Sequence, residues 1–152
     1  MVPSIVTATH DHIFPIASNV READRQEIWD SHMIQPMEAL DKSLEASTLA
    51  WTGLADDQPV CMFGVVPAST LSEKGIVWMI GTELVNIYAF QFLRRNRDMV
   101  KVMLSHYPIL ENYVSAENIR AIQWLKWLKF KIGQIEYIGP FSKPFHKFRM
   151  AA

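Results

Sequence analysis

Arg94, Arg95 and Arg97 put three of the chain's seven arginines within four positions. Guanidinium groups meet phosphate oxygens through paired hydrogen bonds, and in the early part of a helix the terminus adds its own dipole. No glycine-rich loop precedes the cluster, so it reads equally as a solvated helix face. Glu83 follows directly on the apolar run Ile76 to Ile80 and the pair Gly81 and Thr82. A carboxylate at the exit of a buried strand loses hydration, its pKa rises, and it can serve as a base, directly or through water. The plainer reading is a cap or a salt bridge. Asp24 and Glu27, three apart on one helix face, suit contact with a basic substrate or simply a solvated face.

Other chemistry-bearing residues read more quietly. His10, Asp11 and His12 are metal-ligand types, but no third fixed ligand accompanies them and the Asp points away from the pair on a strand, so we read a turn with hydrogen-bonded or solvated histidines and no metal. The five Trp and eight Met residues lack the spread of Lys and Arg that a base-stacking channel needs. Trp51 and Trp78 fall in strands and read as core. Trp124 and Trp127, three apart on a helix, cannot both face inward, which leaves a partner surface open. Cys61 has no second cysteine to pair with and reads as a small buried hydrophobe.

The elements that position these residues follow from apolar spacing and turn chemistry. Ser4 to Thr9 reads as a strand, followed by helices around Ile13 to Asn19, Arg21 to His32 and Pro36 to Glu45. Strands at Thr48 to Ala55 and Val60 to Val66 are joined by a four-residue connection, Asp56 to Pro59, and Ile76 to Thr82 is a third. Leu84 to Tyr107 contains neither Gly nor Pro and holds a substantial helix, stopped by Pro108. Ile109 to Val114 is a strand, Ser115 an N-cap for a helix from Ala116 to Leu128, and Lys131 to Ile138 and Phe145 to Arg149 are closing strands.

At 152 residues, 49% hydrophobic and 20% charged, the chain is long enough to build one core without staples, and no linker divides it, so residues 1–152 are expected to form a single domain. With 15 basic and 16 acidic residues it offers no general attraction for nucleic acid or an anionic membrane, and any basic site is local. No secretory leader and no apolar run of ~18 residues is present, which leads us to expect a soluble, cytoplasmic protein.

Val114-Ser115-Ala116-Glu117-Asn118-Ile119-Arg120-Ala121, continuing to Leu128-Lys129-Phe130, resembles the last motif of the GNAT superfamily of acyl-CoA-dependent N-acetyltransferases. There an Asn begins a helix, an Ala follows three positions later, a Tyr four after that, and Gly-Phe closes the helix; Asn118, Ala121 and Phe130 hold matching positions. The order of elements also fits that fold. The resemblance implies an α/β (α+β) domain with a mixed, largely antiparallel sheet flanked by helices, whose strand before the long helix splays from the strand after it to admit acyl-CoA. It places Arg94, Arg95 and Arg97 near the cofactor's phosphates and Asn118 near its pantetheine arm, with Gly81 and Thr82 also among the cofactor-binding residues. It also implies transfer of an acetyl group from acetyl-CoA to an amine, with Glu83 as base. More narrowly, His10, the run Arg21 to Asp24, Trp78, Gly81-Thr82 and Trp124 to Lys126 resemble small internal virion proteins and acetyltransferase-like proteins of short-tailed bacteriophages, which implies a phage or host protein as partner or acceptor.

The departures bear on activity. No glycine lies between Gly81 and Gly133, where the superfamily's pyrophosphate loop carries two. Leu125 stands where the family's proton-donating Tyr is found, so Tyr113 or Tyr107 would have to supply the acid, and Lys129 replaces the closing Gly. A catalytically silent copy that binds another protein is the alternative the resemblance allows. An open cleft between the splayed strands favours the enzyme; one plugged by Phe90, Phe92 or Trp78 favours the binding protein.

Overall fold

The computed structural model describes residues 2–152. Seven strands form one sheet in the order β1-β2-β3-β4-β5-β7-β6. They are β1 (Pro3–Thr7), β2 (Leu49–Ala55), β3 (Gln58–Pro67), β4 (Lys74–Gly81), β5 (Ile109–Ser115), β6 (Lys131–Ile138) and β7 (Lys143–Ala151). Every pairing is antiparallel except β4 with β5. The helices are α1 (Ile13–Ala17), α2 (Glu22–His32), α3 (Pro36–Ala46), α4 (Leu84–Ile87), α5 (Ala89–His106) and α6 (Ile119–Trp127), with a 3-10 turn at His10–His12. None is long and apolar enough to cross a membrane.

Val60, Cys61, Met62 and Phe63 are all buried, so β3 is covered on both faces, and strand alternation divides its side chains between two cores. Met62 joins Ile80, Ile13, Ile16 and Leu40 under α1 and α3. Cys61 and Phe63 lie on the opposite face with Phe92 of α5. Farther along that face Val77, Val100, Met103, Leu110 and Val114 pack with Phe130 and Phe148 beneath α5 and α6. The inward spacing of Phe92, Leu93, Asn96, Val100 and Met103 is what seats α5 on the sheet.

Three local expectations are corrected. The β2–β3 connection is the two-residue turn Asp56-Asp57, both at positive φ (47° and 66°), because two left-handed residues match the twist of the paired strands; β3 therefore begins at Gln58. The stretch after β4 is two helices with a break at Tyr88, since Val85 is anchored beside Gly81 while Phe92 seats α5 against Gly53. Ser115 ends β5 and Asn118 takes the N-cap position of α6.

β4 and β5 pair only at Lys74 with Ile109, Gly75 with Leu110 and Ile76 with Glu111. Beyond that vertex both strands continue, to Gly81 and Ser115, without a partner between them. The sheet is thus split by a V that opens toward the start of α2.

Candidate functional site

The V leaves one edge of β4 to be accounted for. Asn112 Nδ2 donates to the Val77 carbonyl at 2.7 Å, which turns the Val77 backbone toward β5. Gly81 N–H donates to Asp24 Oδ2 at 3.0 Å, and Gly81 O accepts from Arg21 N–H at 2.8 Å, so Gly81 faces the same way. Backbone direction alternates along a strand, and Met79, midway, presents its N–H and C=O to the gap. Both lie beyond the three residue pairs that join β4 to β5.

Across the open end of the V runs α2. Buried Asp24 touches both sides: besides Gly81 it accepts from Asn118 Nδ2 at 3.3 Å and pairs with Arg21 at 3.1 Å. Glu27, one turn on, accepts the Ser115 N–H at 2.7 Å and lies 3.4 Å from Asn118 Nδ2. Arg21 in turn stacks on Trp124, 4.9 Å from the ring centre, and reaches Asn118 Oδ1 at 3.5 Å. Burial pushes the Asp24 carboxyl up, opposed by the Arg21 charge. It pushes Glu27 up to about 7, with the Ser115 N–H pulling the other way and the Asp24 charge adding to the rise. A carboxyl that titrates near neutrality on the wall of a gap is equipped to take up a proton.

A cavity of ≈ 600 Å³ passes through the V. Glu27, Ile28 and Trp78 line it on the side of α2 and α3, and Asn96, Val100 and Trp124 on the side of α5 and α6. No aromatic plugs the gap in the way the sequence left open. Phe92 is buried against β2 and β3, Trp78 donates to Ser47 Oγ at 2.8 Å from the cavity wall, and Phe90 is exposed with its ring 6.0 Å from Trp127.

The sequence-chosen residues fare unequally. Glu83 is exposed, binds Asn86 Nδ2 at 2.8 Å, and lines a separate groove of ≈ 250 Å³; the desolvation expected of it is absent because α4 turns it to solvent. Tyr113 lines the wall of the cavity through the V and its hydroxyl reaches over β7 to Glu136 of β6, 3.4 Å away, whereas Tyr107 lies outside it and binds Thr48 at 2.7 Å. Thr82 is buried and donates to the Val60 carbonyl. Asn118, also buried, spends its amide on Arg21, Asp24 and Glu27. Arg94, Arg95 and Arg97 are exposed on α5; Arg94 stacks on Phe90 (5.0 Å) and Arg97 on Trp127 (4.3 Å), joining the start of α5 to the end of α6. His10 faces Asp41 and Glu45 at the surface, three ligand-type groups within 4.8 Å of one another, and His12 meets Thr52 at 2.7 Å. Cys61 is buried with its thiol pushed up to about 12 by that burial, which suits a core residue.

Asp24 and Glu27 thus turn inward, where a solvated face was the plainer expectation. A signal for this exists in α2 itself. The helix Glu-Ala-Asp-Arg-Gln-Glu-Ile-Trp-Asp-Ser-His has too few apolar residues for an oily face, so docking it must bury polar groups.

A sheet of this order, split between β4 and β5 beside a long crossover helix, is the fold of the GNAT N-acetyltransferases. An N-acetyltransferase from Staphylococcus aureus Mu50 superposes with a TM-score of 0.70 over 99% of both chains at 11% identity. An aminoglycoside N(6')acetyltransferase from Legionella pneumophila gives a TM-score of 0.72 over 98% of this chain and 91% of that one, again at 11% identity. An aminoglycoside acetyltransferase in complex with coenzyme A gives 0.69 over 99% and 95%, also at 11% identity. No family model matches the sequence, and no curated protein does.

Proposed function

We propose that the chain is an acetyl-CoA-dependent N-acetyltransferase whose working base is Glu27. The observation that carries this reading is an open gap through the sheet with a near-neutral carboxyl on its wall. The residues present fit a CoA thioester. Met79 offers an unpaired backbone edge, and Arg94, Arg95 and Arg97 supply positive charge along the first half of α5.

Bound there, an acyl-CoA supplies an activated carbonyl. Met79 N–H is directed at the gap, where a fixed donor stabilises an oxygen that gains charge. Glu27 takes the proton of the incoming amine, and its unprotonated fraction rises through pH 7. Trp78 and Ile28 give the acceptor side an apolar wall that limits water. Tyr113 lines the cavity but its hydroxyl is directed to Glu136, so solvent supplies the proton of the departing thiol. The acceptor is a primary amine; the likeness to phage proteins points to an amine on a host or phage protein, and residues 1–152 act as one domain.

A second reading, a protein-binding factor without catalysis, has one observation in its favour. Gly81 and Asn118, which the resemblance turns toward the cofactor, are already bonded to Arg21, Asp24 and Glu27. Thermal unfolding across titrations of acetyl-CoA, CoA and ATP separates the two. Binding to the folded state stabilises by about 2.7 kcal/mol at a hundredfold excess over Kd. A shift with acetyl-CoA and CoA but not ATP upholds the enzyme; no shift at millimolar ligand removes it.

A further inference from the structure

Asn96 is the one polar side chain of α5 that is buried, at 6% exposure, and it lines the cavity. Its Oδ1 has no hydrogen-bond partner among the described residues. A buried acceptor without a donor costs stability, and a protein keeps one where something else supplies the donor. Its neighbours along the wall, Leu93 a turn before and Val100 a turn after, are apolar, so no other side chain of that helix face can do so.

Its height along the V follows from helix and strand rise. β4 and α5 run in opposite directions and come level where Gly75 meets Tyr107. Met79 lies about 13 Å from that level at a strand's rise, and Asn96 about 16 Å at a helix's. By that rise Asn96 comes level with Met79 and Ile80, beside the part of β4 that runs on past its pairing with β5. Glu27 stands on the opposite side of the sheet, where the amine must arrive.

We infer that Asn96 is a ligand-positioning residue whose Oδ1 accepts a hydrogen bond from an amide N–H of the pantetheine arm. The inference rests on the acyl-CoA reading. The arm carries secondary amides, and the slot between β4 and α5 offers acceptors for their N–H groups at Met79 O and Asn96 Oδ1, leaving Met79 N–H for the thioester oxygen. An acyl-CoA loses one neutral hydrogen bond without Asn96, and its binding weakens about tenfold.

The test compares calorimetric binding of CoA with that of adenosine 3′,5′-bisphosphate, which has the phosphates but no arm, for the wild type, Asn96→Leu and Asn96→Ala. Both variants should lose about tenfold in CoA affinity and keep the affinity for the bisphosphate. The unliganded Asn96→Leu protein should melt no lower than the wild type, because the substitution removes a buried polar group that nothing satisfies. Unchanged CoA affinity overturns the inference. So does an equal loss for both ligands with a lowered melting point, which assigns Asn96 to the structure alone. A wild type that binds neither ligand overturns the acyl-CoA reading first, and this inference with it.

Discussion

Glu27→Gln keeps an oxygen for the Ser115 N–H and removes the charge that burial disfavours, so it should flatten the protein's stability against pH. In the folded chain Glu27 holds its proton until about pH 7, against an ordinary value of 4.5. Between those values the folded state binds more protons than the unfolded state, and stability falls as pH rises. At about 1.4 kcal/mol per pH unit the wild type gives up about 3 kcal/mol across that window, nearly all of it by pH 8. Asp24, shifted in the same direction, adds to the fall in both proteins, and because its charge and that of Glu27 repel, the difference between the curves reports Glu27 together with that coupling. Urea unfolding at half-unit steps from pH 4 to 8.5 measures the difference directly. The variant should match the wild type near pH 4 and exceed it by about 3 kcal/mol at pH 8. Parallel curves would mean that Glu27 ionises like an exposed carboxylate, and the case for it as a base would go with them. In an acetylation assay the wild-type kcat/KM should rise to a plateau above pH 7, a limb absent from the variant.

Arg21→Ala removes the partner of a buried carboxylate and should cost about 3 kcal/mol or more at neutral pH, less in acid where Asp24 is protonated; a cost below 1 kcal/mol in denaturant titration would show that water reaches the pair. Gly139→Ala should cost about 1–3 kcal/mol, since the residue sits at φ +80° and an added Cβ would lie 2.5 Å from the Asp30 carbonyl; an unchanged midpoint would show that the β6–β7 turn is free to lift off α2.

Much of the architecture could be read from apolar spacing. Val60 to Val66 and Ile76 to Thr82 read as strands because their runs are short and β-branched, and Pro108 marks where α5 stops. The motif at Asn118, Ala121 and Phe130 pointed to the fold family, and the split between β4 and β5 is there. The site was less legible. Glu83 looked desolvated because it follows a buried strand, but a single helical turn after Thr82 sends it outward. Asp24 and Glu27 looked equally suited to solvent because three-residue spacing states only that two side chains share a face. Which way that face points depends on Gly81, Ser115 and Asn118, far along the chain. Asn96 sat unnoticed between arginines, its neighbours' charge masking the apolar ridge of Leu93, Val100 and Met103 to which it belongs.

Helix α2 is a tie bar across the V, and this has a consequence for how the chain assembles. Its bonds to Gly81, Ser115 and Asn118 span 57, 88 and 94 residues. During synthesis α2 emerges early with its two acids and must wait for β5 and the start of α6 before the gap acquires a width. Closing such distant contacts is slow, since the loop entropy is lost before the contacts form. A nascent chain that ends short of β5 therefore has a docking face on β3 and β4 but no slot. The slot is a late product of folding, set when the last third of the chain reaches back to the first.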